Sequence, residues 1–272
     1  MQVIGICRFS YPALGGFQTI HETIEDRILY LYQPERLEER FRLFETTALP
    51  GLKEQTDQDF ALIVVTGDSL PKEALERLHD ITSGIPQVHI VARPPRKHRW
   101  MMKELLNAAR ADPDAPCLQF RHDDDDAVSV DFVERLRQTA VDCKGLLENH
   151  HTVALDFNRG FTAEMTADGI AAREEVRPLL GVALGMWVRG GSPLTIMNFG
   201  HHKIVGFMPV ISQTDAPMWV RTQNRFNDSQ ARRGASADLE PLTPELAAKF
   251  EARFAINENQ VREAFSEDSR SF

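Results

Sequence analysis

The chain has 272 residues, is 42% hydrophobic and 26% charged, and carries a formal net charge of −9. That length builds its own core, while 16 Gly and 15 Pro exclude collagen-like and disordered classes. The acidic balance argues against a nucleic-acid partner, and the longest apolar run, Leu179–Val188, falls far short of the roughly 20 residues that cross a bilayer.

In chain order, Val3–Cys7 reads as a short buried strand. Leu37, Phe41, Phe44 and Ala48 then recur at helical spacing after Pro34. The β-branched run Ala61–Val65 predicts a strand buried on both faces, and Ser69 with Pro71 predicts a capped helix carrying Leu75 and Leu78 inward. Val88–Val91 is another strand, followed by a helical pattern through Trp100, Leu105 and Ala109. Cys117–Phe120 is a strand that runs into four consecutive acids, Asp123–Asp126, before a helix for which Ser129 is the expected N-cap. Alternating strands and helices predict βαβ units and a parallel sheet.

The second half changes character. Val153–Phe157, Phe161–Met165 and Ile170–Arg173 are short strands, the last two joined by the hairpin-type turn Ala167-Asp168-Gly169. Val182–Val188 and Phe207–Ile211 read as further strands, and Thr243-Pro244 and Asn257 as helix starts. Ala231–Pro241 is the linker candidate, which divides the chain into residues 1–230 and a helical extension, 231–272, packed on it. The three cysteines have no Cys-x-x-Cys spacing and are expected as buried free thiols. The N-terminus lacks a basic stretch followed by a long apolar one, so no secretory signal is expected and a cytoplasmic location is.

The acidic run is the feature that carries chemistry. Ligands of open parallel sheets bind outside the carboxyl ends of the strands, and close-packed carboxylates repel unless a cation compensates them. A hard divalent ion held there could bridge to a diphosphate. Asp residues also enrich the first turn of a helix, which accounts for Asp126 but not for four in a row. A calcium loop starting at Asp123 fails, because Val128 stands where the loop needs Gly.

The order of parts resembles the GT-A fold of glycosyltransferases, whose signature is an Asp-x-Asp motif after a mid-chain strand. The segment Arg121-His122-Asp123-Asp124-Asp125-Asp126-Ala127 is similar to one in the bacterial rhamnosyl transferase family. Arg8-Phe9-Ser10, the stretch Arg42–Gln55 leading to Asp59–Val65, and Asn198–His201 support it over roughly residues 1–230. The resemblance implies an α/β, GT-A-like fold: a mostly parallel sheet flanked by helices, with antiparallel additions in the second half. It also implies a metal-dependent transfer of a sugar, rhamnose by the family label, from a nucleotide-diphosphate donor.

By this resemblance Asp123 and Asp125 hold Mn²⁺ or Mg²⁺, with Asp123 or Asp124 touching donor. Asp68, after the second strand, is a candidate for the nucleotide base and equally for a helix cap. Asp215 is the candidate base that deprotonates the acceptor, and Pro217 makes it a helix-cap candidate too. His202 of the His201-His202 pair is the third metal-ligand candidate, since neighbours on extended backbone point oppositely. Arg8 and Arg99, the latter from the basic stretch Arg93–Arg99, are donor-binding candidates because guanidinium pairs with phosphate bidentately. Trp187 and Trp219 are candidates to stack on a sugar ring, but aromatics in apolar surroundings are more often core. The acceptor is a glycan, a lipid-linked or another small molecule, and inversion is the default outcome. The acid-rich tail allows peripheral membrane contact but disfavours anionic lipid. Two other classes compete: a metal-dependent phosphohydrolase or nucleotidyltransferase, and a non-catalytic sugar-nucleotide or glycan-binding protein.

Overall fold

Residues 1–15, 21–226 and 238–266 are described by a computed structural model. The first half supplies β1 (Gln2–Arg8), α1 (Ile24–Leu31), α2 (Pro34–Leu43), α3 (Leu49–Lys53), β2 (Ala61–Gly67), α4 (Lys72–Thr82), β3 (Val88–Arg93), α5 (His98–Ala108) and β4 (Cys117–Asp123). The second half follows with β5 (Ala127–Val128), α6 (Phe132–Asp142), α7 (Lys144–Leu147), β6 (Thr152–Phe157), β7 (Arg159–Thr166), β8 (Gly169–Val176) and β9 (Leu184–Val188). It ends with β10 (Val210–Gln213), β11 (Trp219–Thr222), β12 (Glu240–Pro241), α8 (Pro244–Phe254) and α9 (Glu258–Ser266).

The main sheet has the order β10-β6-β9-β4-β1-β2-β3. Neighbours in it pair in parallel except β9, which lies antiparallel between β4 and β6. The expected mostly parallel sheet is therefore present, and it aligns the carboxyl ends of β1, β2, β4, β6 and β10 along one edge. A parallel strand is covered on both faces, and two apolar clusters do this. Leu37, Phe41, Leu78 and Leu136, from α2, α4 and α6, pack on one face. Met101, Leu105, Ile196 and Ile204, from α5 and the segment ahead of β10, pack on the other.

A second sheet, β12-β8-β7-β11-β5, carries the antiparallel additions. The β7–β8 hairpin turns where predicted, with Gly169 at φ +119°, a conformation glycine adopts at little cost. Phe161 of β7 meets Phe250 and Phe254 of α8 at ring-centroid distances of 4.9 and 6.1 Å, so the C-terminal helices cover this sheet. The caps expected at Thr243 and Asn257 are made: Thr243 accepts from the Leu246 N–H, and Asn257 from those of Asn259 and Gln260. Of the linker candidate, residues 231–237 lie outside the described residues, and Glu240–Pro241 pairs with β8.

Several local expectations are corrected. Pro71 itself occupies the cap position of α4, and Ser69 stands in the preceding turn. Ser129 does not cap α6, which starts later, after Asp131: its hydroxyl donates to the Asp131 carboxylate and its N–H to the Met218 carbonyl. Pro217 begins no helix, because the Met218 N–H donates to the Arg159 carbonyl and draws the chain into β11. Phe207 is exposed ahead of its strand, which starts at Val210. Cys7 and Cys117 are buried, whereas Cys143, at the end of α6, is half-buried. Trp187 and Trp219 are core, and the Trp219 ring lies so close to Gly160 that a Cβ there would stand 2.2 Å from it.

Candidate functional site

Strand register assembles the site. β1 and β4 pair in parallel with Ile6 opposite Arg121 and Arg8 opposite Asp123. Side chains alternate along a strand, so Arg8, Arg121 and Asp123 share the face on which Ile4 and Ile6 pack against α5, and Cys7 and His122 take the other. Burial pushes the Cys7 thiol well up, helped by the nearby aspartates, and pulls His122 down to about 4.

The first turn of α5 arrives on the same face. Buried Tyr11, just past β1, donates its hydroxyl to the Pro94 carbonyl (2.8 Å) and accepts from the Arg96 N–H (3.0 Å), which pins the basic loop ahead of the helix. His98 and Arg99 open α5. Burial, then the charges of Arg8, Arg121 and Arg99, pull His98 down to about 3, so its imidazole is neutral. Burial also lowers Arg121, opposed by Asp123 and reinforced by Arg99. The Arg121 Nε is buried without a hydrogen-bond partner among the described residues. Unpartnered buried donors are uncommon and costly.

The segment after β9 closes the site. His201 is tied through Nδ1 to the Leu179 carbonyl at 2.6 Å, which fixes the ring and leaves Nε2 as the acceptor nitrogen of the neutral tautomer. Burial holds it neutral, and the charges of Arg121, His202 and Asp123 all reach it. Its position is built from below. Leu179 has φ +55°, a strained value for a branched residue, and its N–H donates to both oxygens of buried Asp156 at 3.1 Å. A Cβ at Gly181 (φ +104°) would stand 3.3 Å from the His201 ring. Asp156→Ala leaves the Leu179 N–H and the Ser212 hydroxyl, itself 2.9 Å from Asp156, without their acceptor. It is expected to cost about 1–3 kcal/mol in urea unfolding.

The acidic run divides. Asp123 alone is exposed toward the basic cluster; Asp124, Asp125 and Asp126 are buried. Arg40 of α2, itself buried, bridges Asp124 (3.1 Å) and Asp125 (2.7 Å) through one nitrogen. Asn224 donates to Asp125 at 2.9 Å, and the Thr222 N–H to Asp126 at 3.1 Å. Burial pushes Asp124 up to about 6 against the pull of Arg40. Asp125 also feels burial, but the charge of Arg40 and its bonds to Arg40 and Asn224 outweigh it and hold the carboxyl low. Asp126 is driven up by burial and by the charges of Asp125 and Asp123.

These residues do not fit a divalent ion held by Asp123, Asp125 and His202. Among the described residues no three His, Cys, Asp or Glu side chains gather as a metal-binding group. Asp125 already serves a guanidinium and an amide. His202 is exposed near Arg99: a Cβ at Gly200 would be 3.6 Å from the His202 ring and 3.8 Å from an Arg99 nitrogen.

The other candidates scatter. Arg8 and Arg99 join the cluster. Asp68 is exposed at the end of β2, its N–H donating to the Arg93 carbonyl, and its side chain does not cap α4. Asp215 is exposed and gripped by Arg135 of α6, both oxygens 2.8 Å from one nitrogen. Burial raises Asp215, but the bond to Arg135 and its charge together outweigh it and hold the carboxyl below the usual carboxylate range, which weakens it as a base. Its partner helix packs on the sheet face opposite α5. The residues not foreseen are Arg40, Asn224, His98 and Arg121; His201 is read in the sequence only as half of a metal-ligand pair with His202. Arg121 left a readable signal, its two-residue spacing from Asp123 on a strand.

The sequence pattern of the family described as "Putative rhamnosyl transferase" matches residues 2–236. No curated protein matches the chain. Among solved structures, S. aureus TarS 1–349 with UDP-GlcNAc is similar at 12% identity and TM-score 0.44, over 84% of this chain and 60% of that one. TarS 1–349 with UDP gives 12% and 0.44, over 82% and 61%. The chain thus spans about three fifths of those structures. No helix of the described residues is long and apolar enough to cross a membrane.

Proposed function

The chain belongs to the rhamnosyl transferase family, and from that premise we propose that it is a glycosyltransferase moving a sugar of the rhamnose class from a nucleoside diphosphate donor to an acceptor hydroxyl. One observation carries the reading: Arg8, Arg99 and Arg121 gather around the first turn of α5, facing Asp123, at the carboxyl edge of β1 and β4. Guanidinium groups and the positive end of a helix dipole are what a diphosphate leaving group requires. They stabilise the negative charge that grows on it as the glycosidic bond breaks.

Asp123 stands beside these cations and orients the donor's hydroxyls by accepting from them. His201 takes the acceptor's proton at Nε2: it is neutral, its ring is fixed by Leu179, and it lies within the charge field of Asp123 and Arg121. Asp215, neutralised by Arg135, is assigned no part in the transfer. Direct attack on the anomeric carbon from the side opposite the leaving diphosphate gives inversion, which NMR of the product reads.

The test is a screen of UDP-, dTDP- and GDP-sugars by thermal shift, since a ligand of the native state raises its apparent stability. It is followed by assay of nucleoside diphosphate release with glycan and lipid-linked acceptors. One sugar nucleotide that stabilises more than its bare nucleoside diphosphate and is turned over supports the reading. Release of sugar 1-phosphate rather than nucleoside diphosphate would make the protein a nucleotidyltransferase or a phosphohydrolase, and binding without turnover a glycan or nucleotide-sugar binder.

A further inference from the structure

We propose that Arg121, with Arg8 and Arg99, forms a preformed cradle that takes the donor's diphosphate without a divalent ion. The inference rests on the glycosyltransferase reading and names the source of the leaving group's countercharge.

Three observations on separate elements support it. The β1–β4 register fixes Arg8 and Arg121 on one face of adjacent strands, so their spacing is set by backbone pairing rather than by flexible loops. Arg121 is held there at a cost: its Nε is buried with no acceptor among the described residues, and its closest opposing charge, Asp123, is exposed. A buried guanidinium Nε–H without an acceptor is a donor that an incoming phosphate oxygen satisfies. The first turn of α5, pinned by Tyr11, adds Arg99 and the favourable end of an 11-residue helix.

Charge on the acidic run does not compete. Arg40, Asn224 and the Thr222 N–H engage its buried members, which leaves Asp123 as the member facing the cluster. The carboxylates that would recruit a cation are tied up, whereas guanidinium groups gather in the site. Neutral His98 and His201 line the site without adding repulsion between cations.

The test uses inorganic pyrophosphate with the full chain, by calorimetry in excess EDTA and again with Mg²⁺ or Mn²⁺. Wild type is expected to bind in EDTA, and Arg121→Met to weaken that binding by about 10- to 100-fold, the worth of a charge-assisted pair. Arg121→Lys retains the charge but not the fork and falls between them. Should Arg121→Met not fold, as judged by circular dichroism, Arg99→Ala at an exposed position carries the test, with at least a severalfold loss expected. Binding by wild type only after a divalent ion is added overturns the proposal, as does the absence of pyrophosphate binding. So does unchanged affinity in Arg121→Met or, where that variant does not fold, in Arg99→Ala. The outcomes separate from the functional reading: turnover of a sugar nucleotide with no cradle sinks only this inference. Pyrophosphate binding that depends on Arg121, with no sugar nucleotide turned over, sinks only the glycosyltransferase.

Discussion

Arg40→Leu is expected to destabilise the protein by about 3–5 kcal/mol, because it leaves two buried carboxylates without their shared cation. The loss depends on pH, and its sign follows from the carboxyls. Asp124 is already pushed up to about 6 with Arg40 present, against roughly 3.9 for an unfolded chain. Without the guanidinium, burial and mutual repulsion raise the pair further. A raised folded-state pKa gives stability that is present below the unfolded value and lost as pH rises through the folded one. Asp125 adds in the same direction: Arg40 holds it low, and that contribution exists only above the unfolded pKa. The deficit of Arg40→Leu is therefore largest near neutrality and shrinks toward pH 4. Urea unfolding at pH 4.5 and pH 7.5 measures it. A deficit constant across that range would mean that the carboxyls are not what Arg40 compensates.

Asp123→Ala and Asp125→Ala are expected to part company despite lying two residues apart. Asp123 is exposed, facing the basic cluster, so its removal leaves stability within about 0.5 kcal/mol, as for a surface change. Turnover of the donor found by the screen falls by about 100-fold, the scale of one lost polar contact to a reacting group. Asp125→Ala takes an acceptor from buried Arg40 and from Asn224, and is expected to lower stability by about 2–4 kcal/mol. Paired unfolding curves and initial rates distinguish the two. Equal stability losses would remove the division of the run into one exposed and three compensated acids.

Much of the frame is legible in the residues themselves. The β-branched run Ala61–Val65 reads as a doubly covered strand, and Ala167-Asp168-Gly169 as a hairpin turn, because side-chain shape and backbone freedom act locally. The acidic run is visible as a site for the same reason: carboxylates crowded at a strand end carry their meaning in the sequence alone. Cap positions were less legible. Ser129 has a good capping side chain, yet its hydroxyl donates to the Asp131 carboxylate and its N–H to the Met218 carbonyl, 89 residues away. A residue's local preference yields when a distant strand needs its backbone. Asp215 misled similarly: the pattern Asp-Ala-Pro reads as a helix start, but β11 pairs with β7 and draws it into a strand.

The role of each carboxylate was decided only in three dimensions. In the sequence Asp123–Asp126 are four adjacent acids, and only the family resemblance singles out Asp123 and Asp125 for a metal. In the folded chain Arg40, 85 residues before Asp125, reaches it from α2, and Asn224 reaches it from beyond β11. Desolvation then makes each neighbour decisive: the same carboxyl is raised, lowered or left solvated by which cation shares its cavity, and that is a property of packing, not of spacing. From residues alone, an α/β chain is expected to have its chemistry in a run of acids at the end of the fourth strand. In the folded chain a cluster of arginines faces one of those acids, because parallel pairing sets Arg8 beside Asp123 and Arg121 next to both.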